Sequence, residues 1–228
     1  MDNEQIEIKN KLNTEALNEI SSFLANSDFK KSKLLSYWFK DYIKFLSFED
    51  KFDSKRLVRY KKGTILKVNF GFNVGSELGG LHYCVVLEKN NPLSSSVVTV
   101  APLTSLKEKV DVENLRYTKV YIEDELKSLL KNKLDKIKEN YQSVHGVTGK
   151  ITALKEQRDK SEKELKYALS EYKKMKNGSI VLLDNITTIS KLKIYNPKHK
   201  NDLLYGLRLS DDTLNKIDDK IKELFLKI

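Results

Sequence analysis

His82 and Thr104 offer the clearest chemistry in this sequence, an acid–base group and a hydroxyl near the ends of two apolar segments. His82 follows the glycine-rich stretch "VGSELGGLH", which also carries Ser76 and Glu77. Thr104 and Ser105 end the stretch "SSVVTVAPLTS". A histidine titrates near neutral pH and can give or accept a proton, while hydroxyls and backbone N–H groups bind anionic oxygens. Together these groups could carry out a phosphodiester transesterification without a metal ion.

Other chemistries find less support in the same stretch. No G-x-G-x-x-G opens a helix here, and no G-K-[ST] follows the glycines. The three histidines are scattered, and none shares a helical face with a pair of carboxylates. The sequence therefore predicts neither a cofactor nor a metal. The lone Cys84 lies in an apolar run and is predicted to be a small buried side chain rather than a nucleophile.

β-Strands are predicted to position these groups. "GTILKVNFG", "HYCVVLEK" and "SSVVTVAPLT" are short and rich in β-branched residues, and Leu115–Ile122 and Gly178–Ile194 have the same texture. An antiparallel meander would bring the end of the third strand close to His82. Considered alone, His82 is more commonly a strand histidine bonded to a carbonyl and Thr104 a strand-end threonine. Small sheets of this kind usually close into a barrel, which protects their edges.

Helices are predicted around the sheet. Residues 1–57 carry two apolar series at helical spacing, the first preceded by Asn13 as a predicted N-cap. Trp38 falls in the second series and is interpreted as core rather than as a base-stacking platform. Residues 123–176 hold two more apolar stripes separated by "SVHGVTGK", which predicts a helical hairpin, with one long helix as the alternative. Ser210 is the predicted N-cap of a C-terminal helix.

The composition indicates a globular protein with a basic surface. The 228 residues are 39% hydrophobic and 32% charged, and no apolar run approaches the length of about 20 residues that spans a bilayer. The N-terminal "MDNEQIEIKN" does not resemble a signal peptide, so a cytoplasmic protein is predicted. The net charge of +10 is spread along the chain rather than held in a tail. It favours a nucleic-acid partner, although a lysine-rich composition alone gives the same charge.

Several of these segments, in their order along the chain, resemble the PemK/MazF toxins of bacterial type II toxin–antitoxin systems. The family pattern has a glycine-started strand, a G-S-E-x-G-G loop, an R-P-[AV]-x-V strand, a strand ending in threonine and a D-[QS]-[IV]-R-T-[IV] segment. The corresponding segments here are "KGTILKVNFGFNVGSELGGLHYCVVLEK", "VVTVAPLTS" and "NGSIVLLDNITTISKLKI", followed by a C-terminal helix after "SD". The resemblance implies an α+β fold built on a small SH3-like antiparallel β-barrel. In this interpretation residues 58–122 and 177–228 form the barrel, residues 1–57 are a helical extension, and residues 123–176 are an inserted hairpin.

The resemblance also implies an activity and partners. Family members are homodimers that cleave single-stranded RNA at short sequences, without metal or cofactor, and a cognate antitoxin protein blocks them. The family threonine maps onto Thr104, whereas the arginine after the glycine pair is replaced by His82. In "DNITT", Asp184 and Asn185 fit the pattern, but Thr187 stands where the second arginine is expected. A guanidinium binds phosphate through two parallel hydrogen bonds and cannot act as a base at neutral pH, whereas a histidine can.

These considerations predict the roles of the site residues. We expect His82 to act as general acid or base, Thr104 and Ser76 to hydrogen-bond phosphate oxygens, and Glu77 to orient the loop or assist proton transfer. Because both arginines are missing, binding of the RNA is assigned to other groups. They are Lys61, Lys62, Lys67, Ser105, Lys107 and Asn185. Two alternatives stay open: a nonenzymatic nucleic-acid-binding module on the same barrel, and a protein-interaction scaffold built on the N-terminal helices and the hairpin.

Overall fold

The computed structural model describes residues 2–108, 110–146, 152–176 and 178–226. By packing, the chain divides into two compact units. The N-terminal unit comprises Met1–Phe52 and Gly71–Ser76. The sheet unit comprises Asp53–Phe70 and Glu77–Ile228.

The N-terminal unit contains two helices, α1 (Asn3–Asn26) and α2 (Phe29–Glu49). Asp2 caps α1 and Asp28 caps α2, each by accepting a hydrogen bond from a backbone N–H of the first turn. The prediction of helices is confirmed, but Asn13 is not an N-cap. It lies inside α1, because Asp2 already satisfies the free N–H groups at the true start of the helix.

Trp38 organises the aromatic side of α2. It is half-buried and stacks on Tyr42 with ring centroids 5.6 Å apart, and Phe45 lies 6.2 Å away. The indole also lies against the backbone of Gly71, where an added Cβ would come within 2.6 Å of the ring. Gly71 has φ of +89°, so both its conformation and its contact with Trp38 require glycine.

In its described residues, the sheet unit contains an antiparallel sheet of seven strands and three α-helices. The strands are β1 (Ile65–Asn69), β2 (Leu81–Val86), β3 (Val97–Ser105), β4 (Lys119–Tyr121), β5 (Ser179–Leu182), β6 (Thr187–Ser190) and β7 (Ile194–Asn196). The helices are α3 (Glu125–Gly146), α4 (Thr152–Lys174) and α5 (Asp211–Phe225). The α+β class and the antiparallel arrangement are therefore confirmed.

The strand order is β4-β5-β3-β2-β1-β7, and β6 also pairs with β3. One edge of β3 pairs with β2, while its other edge pairs with β6 along its first half and with β5 along its second half. Among the strands that the structure describes, the sheet does not close into a complete ring, since β4 and β7 lie at its two ends. Both end strands have only three residues, and short edge strands offer few free groups for further pairing.

Two predicted strands are shorter than expected. Of the segment Leu115–Ile122, only Lys119–Tyr121 is a strand, because a turn closed by the 2.9 Å bond from Lys119 N–H to Arg116 C=O precedes it. The long segment that starts at Gly178 is divided by two short 3₁₀ turns into β5, β6 and β7. Strands were therefore predicted correctly in these segments, whereas the points where the strands are interrupted depend on these local turns.

Each central strand is buried on both faces. In β2, Val85 packs in one apolar cluster together with α3, α4 and α5, and Cys84 and Val86 pack in a second cluster. This follows from the alternation of side chains along a strand. The helices α3 and α4 pack against each other, which favours the hairpin over a single long helix. The predicted turn between them falls largely on residues 147–151, which lie outside the described residues.

The hairpin leaves and rejoins the sheet at one place, between the paired strands β4 and β5. Ser179 N–H donates to Glu123 C=O at 2.8 Å, and Gly178 N–H donates to the Asp124 carboxylate at 2.5 Å. Gly178 has φ of +74°, and an added Cβ would lie 3.0 Å from Leu106. These contacts fix where α4 returns to the sheet.

Candidate active site

A cleft of about 450 Å³ lies beside the ends of β2 and β3 in the sheet unit. Five of the predicted site residues line it, together with residues of α4 and the segment after it. Those five are Lys67, His82, Thr104, Ser105 and Lys107. The meander prediction thus placed the histidine and the hydroxyls at the same end of the sheet.

His82 and Thr104 both line the cleft, next to the point where the β2–β3 ladder ends. The β2–β3 ladder runs from Val86 opposite Val100 to Cys84 opposite Pro102. Continuing that register by two residues brings His82 opposite Thr104, on the same face of the sheet. The β2–β3 ladder ends before that point, while the other edge of β3 pairs with β5, with Thr104 opposite Ile180. The end of the β2–β3 ladder leaves His82 and Thr104 half-buried in the cleft wall rather than in a continuous sheet.

The imidazole of His82 is supported by an aromatic neighbour. His82 lies opposite Val68 in the β1–β2 ladder, and its ring meets the buried Phe70 edge-on at a centroid distance of 6.4 Å. A ring–ring contact of this kind does not require a hydrogen bond from either imidazole nitrogen. The imidazole therefore keeps the groups that a proton transfer requires.

Glu171 is the group in the cleft that the sequence reasoning missed. It lies on α4 with only 2% of its surface exposed. The carboxylate accepts hydrogen bonds from Tyr83 Oη at 2.6 Å, from Lys174 Nζ at 2.8 Å and from Lys67 Nζ. Lys67 and Tyr83 are directly opposite each other in the β1–β2 ladder, so their side chains project together towards α4. A buried carboxylate with three donors is fully satisfied.

The environment of Glu171 fixes its charge. Burial alone would raise the pKa of this carboxyl, but the hydrogen bonds from Lys174, Lys67 and Tyr83 outweigh burial and lower the pKa to about 2. The pKa of Tyr83 is raised, first by burial and then by its bond to Glu171, so the phenol stays protonated. Neither group exchanges a proton near neutral pH. Glu171 is therefore a fixed negative charge and not a general acid or base.

Lys67 is held in place by Glu171 and by two tyrosine rings. It is 8% exposed, and its Nζ lies 5.4 Å from the ring centroid of Tyr83 and 5.9 Å from that of Tyr195. The ammonium lies in the cleft wall, but Glu171 already balances its charge. By contrast, Lys107 is exposed at the rim of the cleft.

The other predicted site residues do not line the cleft. Lys62 forms an ion pair with Asp218 of α5 at 2.5 Å, and the backbone of Lys61 forms an isolated antiparallel β-bridge with Asn90. Asn185 accepts a hydrogen bond from Leu78 N–H at 3.1 Å and so anchors the glycine-rich loop. Glu77 is exposed outside the cleft, and Ser76 is exposed in the N-terminal unit.

One sequence signal could have revealed Glu171. It lies three residues after Ala168, which is 2% exposed in the apolar cluster, and next to Tyr172, which packs on the same cluster. Residues at positions i and i+3 share a helical face. A glutamate at a core-facing position needs buried cationic or hydroxyl partners, and this requirement was readable from the stripe.

Within the described ranges, no group of three or more His, Cys, Asp and Glu side chains is arranged to hold a metal ion. No helix in the same ranges is long and apolar enough to cross a membrane. Cys84 is fully buried, and burial raises the pKa of its thiol.

Comparison with known proteins agrees with the resemblance seen in the sequence. Residues 61–139 match the family model of the PemK-like, MazF-like toxin of type II toxin-antitoxin system. The matched segment includes β1 to β4 and so contains both His82 and Thr104. No match to the chain was found among the curated proteins. Over residues 61–139, the chain is therefore similar to the PemK-like, MazF-like toxins.

Proposed function

We propose that this protein is a metal-independent, sequence-selective endoribonuclease that cleaves single-stranded RNA and acts as the toxin of a type II toxin–antitoxin system. The observation that carries the proposal is the cleft, which both His82 and Thr104 line at the end of the β2–β3 ladder. Both residues lie in the segment that matches the toxin family. A proton-transfer group beside a hydroxyl donor is what RNA transesterification requires.

The chemistry follows from the groups in the cleft. The 2′-oxygen of a ribose attacks the adjacent phosphorus, the bond to the 5′-oxygen breaks, and a 2′,3′-cyclic phosphate and a 5′-hydroxyl are formed. His82 takes the proton from the 2′-hydroxyl or gives one to the departing 5′-oxygen. Thr104 and Ser105 donate hydrogen bonds to the non-bridging oxygens, whose negative charge grows in the transition state.

The charge of the cleft supports an anionic substrate. Four lysines and one glutamate are among its lining residues. The lysines are Lys67, Lys107, Lys174 and Lys176. Because Glu171 neutralises only one of these charges, the cleft keeps an excess of positive charge that attracts a phosphate backbone. Lys107 and Lys176 are exposed, and we assign the main phosphate contacts to them.

An RNA-cleavage assay in EDTA tests the proposal. The wild-type protein is incubated with a mixed single-stranded RNA, and the products are separated on a denaturing gel. We expect cleavage by the wild type and a loss of about 100-fold or more in His82→Ala, since general acid–base groups contribute about that much. His199→Ala is the matched control, because His199 is exposed outside the cleft. Equal cleavage by wild type and His82→Ala would remove the role of His82, and no cleavage by the wild type would defeat the enzyme proposal.

A second candidate is a nucleic-acid-binding protein without nuclease activity. It is favoured by the pairing of Lys67 with Glu171 and by the lining of the cleft, which contains no arginine among the described residues. This candidate predicts RNA binding that weakens steeply with salt while the RNA stays intact after long incubation. Binding measured at several salt concentrations, with the RNA examined afterwards, separates the two candidates.

The partners and the organisation of the chain belong to the same proposal. We assign a cognate antitoxin and a homodimer, and we place the protein in the cytoplasm. We also assign residues 58–122 and 177–228 to the toxin domain, residues 1–57 to an extension and residues 123–176 to an insertion. The family match starts at residue 61, inside the first of these segments, and ends at residue 139, inside the segment assigned to the insertion. Co-expression with the product of a neighbouring short reading frame, followed by copurification, tests the antitoxin assignment.

A further inference from the structure

The two N-terminal helices expose an unusual amount of apolar surface. They carry thirteen of the twenty-three exposed large apolar side chains in the described part of the chain. On α1 these side chains are Ile6, Ile8, Leu12, Leu17, Ile20 and Phe23. α1 has no buried residue along its 24 residues, and α2 has only Leu35.

Helices of this kind need a partner. Most of the stability of helices in proteins comes from tertiary packing of an apolar face rather than from intrinsic helix propensity. Contiguous exposed apolar surface on a soluble protein marks an interaction site. The apolar residues of α1 and α2 therefore point to an interface.

The charges of the helices indicate what covers them. α1 carries four glutamates and two lysines, whereas α2 carries five lysines, one aspartate and one glutamate. The two helices thus have opposite net charges, and each is electrostatically complementary to the other. Within one chain α1 is left without a buried residue, so the α2 helix of a second copy is the matching surface.

We infer that the N-terminal helices form an interface between two copies of this chain, with α1 of each copy packed against α2 of the other. A two-fold arrangement satisfies both pairs of helices at once, since the same patch is used by both copies. The result is a four-helix packing with apolar residues inside and opposite charges at the edges.

An RNA strand is a poorer occupant of this surface. Residues 2–52 contain nine acidic and eight basic side chains, although the whole chain has a net charge of +10. The basic excess therefore lies outside the N-terminal unit, and the glutamates of α1 repel a phosphate backbone. The N-terminal helices also lie outside residues 61–139, so the family match does not supply this interface.

Charge reversal with mixing tests the inference on the full-length protein. The first variant is Glu15→Lys with Glu19→Lys on α1, and the second is Lys40→Glu with Lys44→Glu on α2; all four side chains are exposed. Each variant alone juxtaposes like charges at both helix pairs, and we expect its dimer to dissociate about tenfold more readily than the wild type. When the two variants are mixed, opposite charges face each other again at both pairs, and a mixed dimer forms.

Light scattering after size exclusion gives the readout. The wild type is expected at twice the chain mass of 26.4 kDa. Lys89→Glu with Lys216→Glu is the control, because it places the same charge change on exposed lysines of the sheet unit. A monomeric wild type would overturn the inference. So would dimers that ignore both reversals, or reversals that mixing does not rescue, since the interface would then be elsewhere. None of these readouts uses RNA cleavage.

Discussion

Replacing Glu171 by glutamine should destabilise the protein strongly at neutral pH. The change keeps the size of the side chain but removes the charge that faces Lys67 Nζ. Lys67 is only 8% exposed, so its ammonium would be left in the protein interior without a counter-charge. Removing one partner of a buried ion pair is more costly than replacing both partners, because the remaining charge stays desolvated.

The magnitude follows from the proton affinity of the carboxyl. The pKa of Glu171 is lowered to about 2 in the folded protein. An unperturbed glutamate titrates near about 4.3, and each unit of difference corresponds to about 1.4 kcal/mol. The charged form therefore stabilises the fold by about 3 kcal/mol at pH 7, which agrees with the range of about 3–5 kcal/mol for breaking a buried pair.

Urea denaturation of the wild type and of Glu171→Gln between pH 7 and pH 3 measures the stabilisation that the charge of Glu171 provides. As the pH falls below about 4.3, the unfolded chain takes up a proton on this carboxyl, while the folded protein resists it until about pH 2. The wild type therefore loses this contribution as the solution is acidified, and Glu171→Gln has none to lose. We expect the difference in unfolding free energy to be about 3 kcal/mol at pH 7 and to shrink in acid.

Glu162→Gln on the same helix is the matched control. Its ion pair with Lys166 has the i,i+4 spacing and is largely exposed, so the change should cost less than about 1 kcal/mol. The double variant Lys67→Met with Glu171→Leu should recover part of the lost stability, since it removes both buried charges. Unfolding free energies from urea denaturation are good to about 1 kcal/mol. If the unfolding free energy of Glu171→Gln lies within that margin of the wild-type value at pH 7, the proposed stabilisation by the Glu171 charge is wrong. It is also wrong if the difference between the two proteins is the same in acid.

Three further predictions concern stability and packing. Gly63→Ala should lower the unfolding free energy, measured by urea denaturation, more than Gly206→Ala does. Both glycines have positive φ, a conformation that costs alanine about 1–2 kcal/mol. Of the two, only Gly63 has a neighbour that an added Cβ would meet, Leu214 Cδ1 at 2.8 Å. Equal losses would show that the contact relaxes freely. Cys84 should resist a thiol reagent in the native protein and react as urea unfolds it, since the side chain is buried and its thiol pKa is raised; fast native labelling would contradict this packing. Ser210→Ala should lower the unfolding free energy by about 1 kcal/mol, because Ser210 caps α5, and an unchanged midpoint would remove that role.

Much of the sheet could be read from the sequence because strand periodicity is a local property. The β-branched run around Val85 predicted a strand, and the hydroxyls that end β3 were predicted to lie at the same end of the sheet as His82. The start of α1 could not be read as well, because several polar residues can serve as caps and Asp2 precedes Asn13. The pattern of apolar residues alone does not show which of several candidate N-cap residues starts the helix.

The contact between Lys67 and Glu171 lies beyond what such local patterns reach. The two residues are 104 positions apart, and they meet only because α4 returns over the β1–β2 ladder. Charge counting treated Lys67 as available to an RNA phosphate, whereas packing gave it an internal partner. Local patterns thus identified the residue types of the cleft, and tertiary packing determined which charges are already balanced.

The α3–α4 hairpin leaves and rejoins the sheet at one point, so changes in the hairpin affect the sheet and the cleft differently. The entropic cost of closing a loop grows only with the logarithm of its length, so residues can be gained or lost between β4 and β5 with little effect on their pairing. The cleft does not share this tolerance, because α4 supplies the carboxylate that holds Lys67 and Tyr83. Changes in the length or sequence of the hairpin can therefore alter the charge presented to a ligand while the strands that carry His82 and Thr104 keep their register.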